Sequence, residues 1–496
     1  MTARLRRRTL VAYAGALAGT LAGGGGARAA ASEDFDNARH LLSRVALGAT
    51  PADISALATL DHAAAVERLL ASFRPVATTP PPAWVDEGLA ELRRQQKESA
   101  ERIKDGRAIA VQPPYGLQGS QLRAWWIEEM LVTDQPLVER MVLFWHSHFT
   151  SSLRKSYFPA AMYWQNAMFR ANALGNFATL LKAVARDPAM LLYLDGVRNV
   201  ARQPNENFAR ELLELFTLGE GHYGEVDVRE AARAFTGRAI DRKSGKFVFN
   251  DANHDSGEKT FLGRSGRFGG DEIVDILLAH PRTAVTIVEK LWREFVSLRP
   301  DADEVGRLAA SFRASGYEIR PLMRDLLLSS AFRDPANRAA LIKSPVDLVI
   351  GTVRVLGLPV PDKSRLGRMM QVLGQNLFNP PNVKGWAGGE AWISTHTLLQ
   401  RQQSLRRIVE ATTVSPMEDG MGRMANPRMM EERPIEGRSL RLAGGEARLG
   451  PTLLGVDAAT LKAALLPCEP IDGIDDSGTP GAVVATALLD PAYQLK

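Results

Sequence analysis

The chain has 496 residues, an apolar content of 45% and a formal net charge of +5, values that fit a folded protein with a sizeable core and exclude bulk disorder. The excess charge sits at the start: Arg4, Arg6, Arg7, Arg8 and Arg28 all precede the first acid, Glu33. From residue 30 onward the chain is close to neutral, so its basic balance is no sign of nucleic-acid binding, and the single cysteine, Cys468, excludes an internal disulfide.

Taken in chain order, the first arginines lead into a Leu-, Val-, Ala- and Gly-rich run, and Ala27-Arg28-Ala29 has the small-x-small form of a cleavage site. Residues 1–29 therefore read as a signal peptide. Arg7-Arg8-Thr9-Leu10-Val11 resembles the twin-arginine export signal, which points to a periplasmic or secreted protein. Cleavage is expected close to Ala29. The intact mass of exported protein should lack residues 1–29, and their retention would overturn this reading. No later stretch reaches the roughly 18 to 20 apolar residues of a membrane-spanning helix, so no transmembrane anchor is expected after signal removal.

Apolar residues at helical spacing predict helices over 34–47, from 51 through 70, and over 122–132 and 137–149. The Thr79-Pro80-Pro81-Pro82 cluster predicts a loop, and the charge-rich stretch 85–107 a solvated helix. Helices are expected again at 157–173, 176–186, 205–218 and 227–238, then a short strand or hairpin at 246–249. Further helical runs cover 271–279, 281–297, 302–314, 318–330, 345–356, 364–374 and 395–410. Residues 374–389 form a Gly/Pro-shaped loop that Phe378, Trp386 and Trp392 would pin to helices, or whose aromatics would meet a sugar ring. Residues 411–452 lack periodicity and read as a loop or linker. A C-terminal helical segment, 453–496, is expected to pack on a main helical domain, 30–410. The fold class is mainly α, a large helical domain with small loop or hairpin insertions.

Zincin, nucleophile-elbow and phosphate-loop signatures are absent, and no cysteine pair exists for zinc or haem. Six residues remain as candidates for chemistry. His146 and His148 carry imidazoles that bind transition metals or move protons near neutral pH; two residues apart on a helix they converge only if it distorts near Phe149, and otherwise they are core histidines. Glu211 and Glu214, three apart, would edge a polar cleft, or Glu214 would join an Arg210 ladder with Glu206. His254 and Asp255 lie in an acidic loop that fails the EF-hand pattern at Ser256 and Leu262, leaving an irregular hard-cation loop, a shared site or a capped turn.

Three stretches together resemble the bacterial family catalogued as domain of unknown function 1800. They are Phe144-Trp145-His146-Ser147-His148-Phe149, the run from Pro204-Asn205-Glu206-Asn207-Phe208 through Leu215-Phe216-Thr217-Leu218-Gly219, and Pro380-Pro381-Asn382-Val383-Lys384-Gly385-Trp386. The likeness spans roughly residues 35–495. It implies an exported bacterial protein, often encoded beside another exported protein resembling the phosphatase and sulfatase superfamily, which is the partner to expect. The residue types then suggest an exported metal-assisted enzyme, a hydrolase acting on a cell-envelope or extracellular polymer or glycan. A divalent metal ion is its candidate cofactor, with His146, His148, Glu211, Glu214, His254 and Asp255 as ligands and His148, Glu211 and His254 as catalytic groups. The alternative is a non-enzymatic envelope binding or assembly factor. At least three of the six side chains are expected to meet within about 5 Å if they share a metal.

Overall fold

The computed structural model describes residues 26–105, 114–360, 362–413, 449–450, 453–475 and 477–496. Most of the expected signal peptide and nearly all of the 411–452 linker lie outside the described residues. Among those described, 22 α-helices carry the structure, and strands are confined to two small sheets, so the fold is mainly α. None of these helices is long and apolar enough to cross a membrane.

Seven helices position the site and its supports: α1 (Gly26–Val45), α2 (Pro114–Val132), α3 (Pro136–His148), α4 (Pro159–Ala171), α5 (Asn207–Glu211), α6 (Pro281–Phe295) and α7 (Pro345–Leu356). The expected span of α3 is met almost residue for residue. Pro136 suits its first turn, where a backbone N–H has no helical partner to lose. Helix α3 is central: Leu137, Met141, Phe144 and Trp145 are buried, and so are Glu139 and Arg140. A helix enclosed on all sides must pair its charges inside the protein. Glu139 does so with Arg170 of α4, and Arg140 with Asp347 of α7.

Elsewhere local structure departs from the periodicity. Helix α2 starts at Pro114 rather than at 122, because its first turns carry polar Gln118 and small Gly119 against Leu153 and so show no apolar stripe. The single helix expected over 205–218 divides into α5 and a π-helical turn, Leu212–Thr217. In that turn the Thr217 hydroxyl donates to the Leu212 carbonyl at 2.6 Å, and the Leu218 N–H reaches back five residues to Leu213. Such turns recur at functional sites. The helix expected over 227–238 ends at Ala234, and β1 (Arg238–Ile240) pairs antiparallel with β2 (Phe247–Phe249), the anticipated short strand. A second hairpin, β3 (Lys259–Phe261) with β4 (Arg264–Gly266), forms within the stretch expected to hold a loop or hairpin insertion.

Residues 374–389 are an ordered loop, with Phe378, Trp386 and Trp392 buried. Its Phe378 carbonyl accepts from the Leu153 N–H at 2.8 Å, and Asn379 Oδ1 accepts from the Arg154 N–H at 2.9 Å. Gly385, at φ +84, brings the loop backbone onto α3: a β-carbon there would lie 2.4 Å from the Ser147 carbonyl oxygen. Leu461, Leu465, Val484 and Leu488 join the same hydrophobic core as Trp126 and Trp145.

Candidate functional site

The end of α3, one face of α6 and the 374–389 loop enclose a cleft of about 470 Å³, within the size range of small-molecule sites. Phe144 and His148 come from α3, Lys290 and Arg293 from α6, Lys384 and Trp386 from the loop. Helix α6 presents its apolar stripe of Ile287, Leu291 and Trp292 to the core, which leaves Lys290 at the margin between core and cleft.

Lys290 Nζ donates to His148 Nδ1 at 3.0 Å and to the Leu215 carbonyl of the π-helical turn at 2.6 Å. An ammonium has three donors, so one remains for the cleft. Burial, reinforced by the nearby charge of Arg293, pushes the Lys290 amine down to about 8. Lys290 has no carboxylate partner among the described residues, whereas Arg293 lies 3.7 Å from Glu289 and Lys384 lies 3.4 Å from Glu220. The indole of Trp386 lines the cleft too, and its buried N–H has no hydrogen-bond partner among the described residues.

Burial, with the Lys290 charge beside it, holds His148 well below the ordinary imidazole range, so its ring is neutral. Accepting from Lys290 at Nδ1 places the ring proton on Nε2. That nitrogen feels the field of the Phe216 carbonyl but makes no hydrogen bond of acceptable geometry.

The six expected residues divide among four places. His146 points away from His148, because α3 stays regular through both. Its ring lies against Trp126 and Phe169, Nε2 is 3.0 Å from Asn166 Nδ2, and burial followed by the Arg170 charge lowers it to about 3. It belongs to a closed network in which Arg170 donates to Asn166 at 2.7 Å and to Glu139 at 2.8 Å, while Trp126 donates to Glu139 at 3.0 Å. Glu214 accepts from the Tyr223 hydroxyl at 3.1 Å. The expected Glu206–Arg210–Glu214 ladder is replaced, since the π-helical turn reorients Glu214 and Arg210 bridges Glu206 and Glu225. Glu211 is half-buried and its carboxyl is raised by burial and then by Glu214, with Lys384 acting in the opposite sense.

His254 Nδ1 donates to the Thr236 carbonyl at 2.9 Å, and Asp255 pairs with Arg233 at 2.7 Å, whose hydrogen bonds lower its carboxyl. These two residues clip the hairpins to the helix Glu225–Ala234. Among the described residues no group of three or more His, Cys, Asp or Glu side chains could hold a metal ion. The expected common metal centre of His146, His148, Glu211, Glu214, His254 and Asp255 is therefore not formed: His146, His148, Glu214, His254 and Asp255 are held by separate neighbours, Glu211 stands apart from the histidines' surroundings, and of the six only His148 lines the cleft. Lys290 is the residue that sequence reasoning missed, since in Val288-Glu289-Lys290-Leu291-Trp292-Arg293 nothing marks it from its charged neighbours.

No curated protein and no solved structure matches the chain. The family model described as "Protein of unknown function (DUF1800)" matches residues 40–495, nearly the whole length, and the chain belongs to that family.

Proposed function

We propose that the protein is an exported binding factor whose cleft takes an anionic group, a carboxylate, sulfate or phosphate of an envelope or extracellular ligand. The observation that carries this reading is the Lys290 ammonium, which has no carboxylate partner among the described residues and faces an open cleft beside the unpartnered Trp386 N–H; the two carboxylates that line the cleft, Glu294 and Asp347, are taken up by Arg140 and Lys496. A buried charge without a counter-charge is unfavourable, and an incoming anion would supply what is missing.

The test is titration with inorganic phosphate, sulfate and glucuronate, followed by calorimetry. Binding should be lost in Lys290→Met, a variant that removes a desolvated charge and keeps the aliphatic stem. The pH dependence has a defined sign. Below about 8 Lys290 is protonated in the free protein, and affinity is constant. Above it the site must take up a proton to bind, so affinity falls by about ten-fold per pH unit. Binding that persists in Lys290→Met, or is flat between pH 7 and 10, would rule out this role.

A metal-free enzyme is the second reading, favoured by one observation: a lysine near 8 hydrogen-bonded to a neutral histidine resembles the tuned amines that serve as bases or nucleophiles.

A further inference from the structure

A second concavity, of about 690 Å³, lies on the other side of the 374–389 loop and shares no lining residue with the cleft. It runs between the start of α2, the short helix Leu153–Ser156 and the Asn379-Pro380-Pro381 corner. Three tyrosines and three cations face it: Tyr115, Tyr157, Tyr193, Arg123, Arg154 and Lys155.

Tyr157 is unusual twice over. It caps its helix in the left-handed conformation, at φ 52 and ψ 20, which bulky side chains rarely adopt. The residue is also 55% exposed. The conformation is fixed by the Tyr157 N–H bonding the Leu153 carbonyl at 3.1 Å, and it stands the ring edge-on to Tyr115, with centroids 5.6 Å apart. Neither hydrophobic burial nor close packing accounts for such an arrangement, whereas an aromatic face held open to solvent suits a ligand with an apolar face of its own.

The cations differ in their pairing. Lys155 is bonded to Asp195 at 2.9 Å and lies 5.6 Å from the Tyr193 ring centre. Arg123 has no carboxylate partner among the described residues, only the Ser120 hydroxyl at 3.4 Å, and burial lowers its guanidinium. The Arg154 side chain likewise has no carboxylate partner among the described residues, its backbone N–H being held by Asn379 and Ser152. The groove thus offers two uncompensated guanidiniums, whose planar forks match carboxylates, next to open aromatic faces and the amides of Gln371 and Asn376.

We propose that this groove binds an acidic polysaccharide, the guanidiniums of Arg123 and Arg154 taking uronate carboxylates while Tyr157 and Tyr115 stack on sugar rings. The amides suit sugar hydroxyls. The perpendicular tyrosines form a corner rather than the parallel platforms on which successive nucleobases stack, so a sugar polymer fits better than a nucleic acid.

The experiment is affinity electrophoresis of the full chain in gels containing polygalacturonate, its fully methyl-esterified form, or a thymidine oligonucleotide. Retardation is expected with polygalacturonate, with an affinity at least ten-fold above the ester, and weakening at high salt. Combined Arg123→Gln and Arg154→Gln should remove the preference for the acid. Tyr157→Ala should weaken binding roughly ten-fold, the size of one lost aromatic contact of about 1.4 kcal/mol. Tyr157→Gly should do the same while keeping or raising the melting temperature, because glycine relieves the left-handed backbone; this separates lost binding from lost folding. Equal retention by acid and ester, undiminished binding in both Tyr157 variants, absence of binding to polygalacturonate, or tighter binding of the oligonucleotide would each overturn the proposal.

Discussion

Replacing Asp347 by asparagine should lower the unfolding free energy by about 5 kcal/mol, the upper end for breaking a buried ion pair. Asp347 is the N3 residue of α7 and closes a capping box with Ser344, accepting from its N–H at 3.0 Å and its hydroxyl at 2.9 Å. The same carboxylate receives Arg140 on one oxygen and Lys496 on the other, the latter at 2.9 Å. Arg44 and Arg401, both buried, and the half-buried Lys343 draw part of their charge support from it. Asparagine preserves the shape and most of the cap but leaves Arg140 and Lys496 with Glu294, at 3.5 and 3.9 Å, and takes from Lys343 and Arg401 the carboxylate that supports their charge. Burial would raise the Asp347 carboxyl, but Arg140 and then Lys496 outweigh it and hold it well below the usual range. A depressed carboxylate contributes stability that is fully present above its unfolded value of about 3.9 and is lost as pH falls through the folded one. Urea melts at pH 7 should show the full difference between wild type and Asp347→Asn. A loss under about 1 kcal/mol would mean that water or rearranged side chains compensate the cations.

Arg170→Met should cost about 4 kcal/mol near neutral pH, for the mirror-image reason. Arg170 Nε donates to Glu139 Oε1 at 2.8 Å, and Nη2 lies 2.6 Å from the same oxygen, too poorly aligned for a second hydrogen bond. Both groups are buried. Burial already raises the Glu139 carboxyl, with the arginine pulling against it; without Arg170 it rises further. The penalty should therefore shrink as the pH is lowered from 7.5 towards the unfolded value of about 4.3, because Glu139 then binds its proton in both states. Adding Glu139→Gln should recover most of the loss at pH 7.5 while retaining an acceptor for Trp126. Denaturant titrations of the three variants at pH 7.5 and 5 measure both effects; a pH-independent penalty would assign the loss to packing rather than to charge.

The sequence makes some of this legible and hides the rest for physical reasons. Helix α3 announces itself through Pro136 and a dense apolar run, and the loop at 374–389 through its glycines, prolines and aromatics. The π-helical turn leaves no trace in apolar spacing, because it is set by the Thr217 hydroxyl taking a backbone carbonyl. His146 and His148 stand out as residue types, yet their directions depend on the helix remaining regular past Trp145, and that regularity sends one to a closed network and the other to the cleft. Lys290 is silent for the opposite reason. Its chemistry comes from what surrounds it, a carbonyl from one segment and an imidazole from another, and neither is near it in sequence.

The Asp347 cluster also has a bearing on how the protein is made. Its members come from α1, α3 and α7, and Lys496 enters with a stretch that pairs Leu341 and Lys496 through both backbone groups. Arg140 lies 207 positions before Asp347 and Lys496 lies 149 after it, so neither pair can form from local structure. Helix α3, emerging early in synthesis, therefore carries Arg140 without its carboxylate until α7 has followed it, and the pair forms only when those two helices meet.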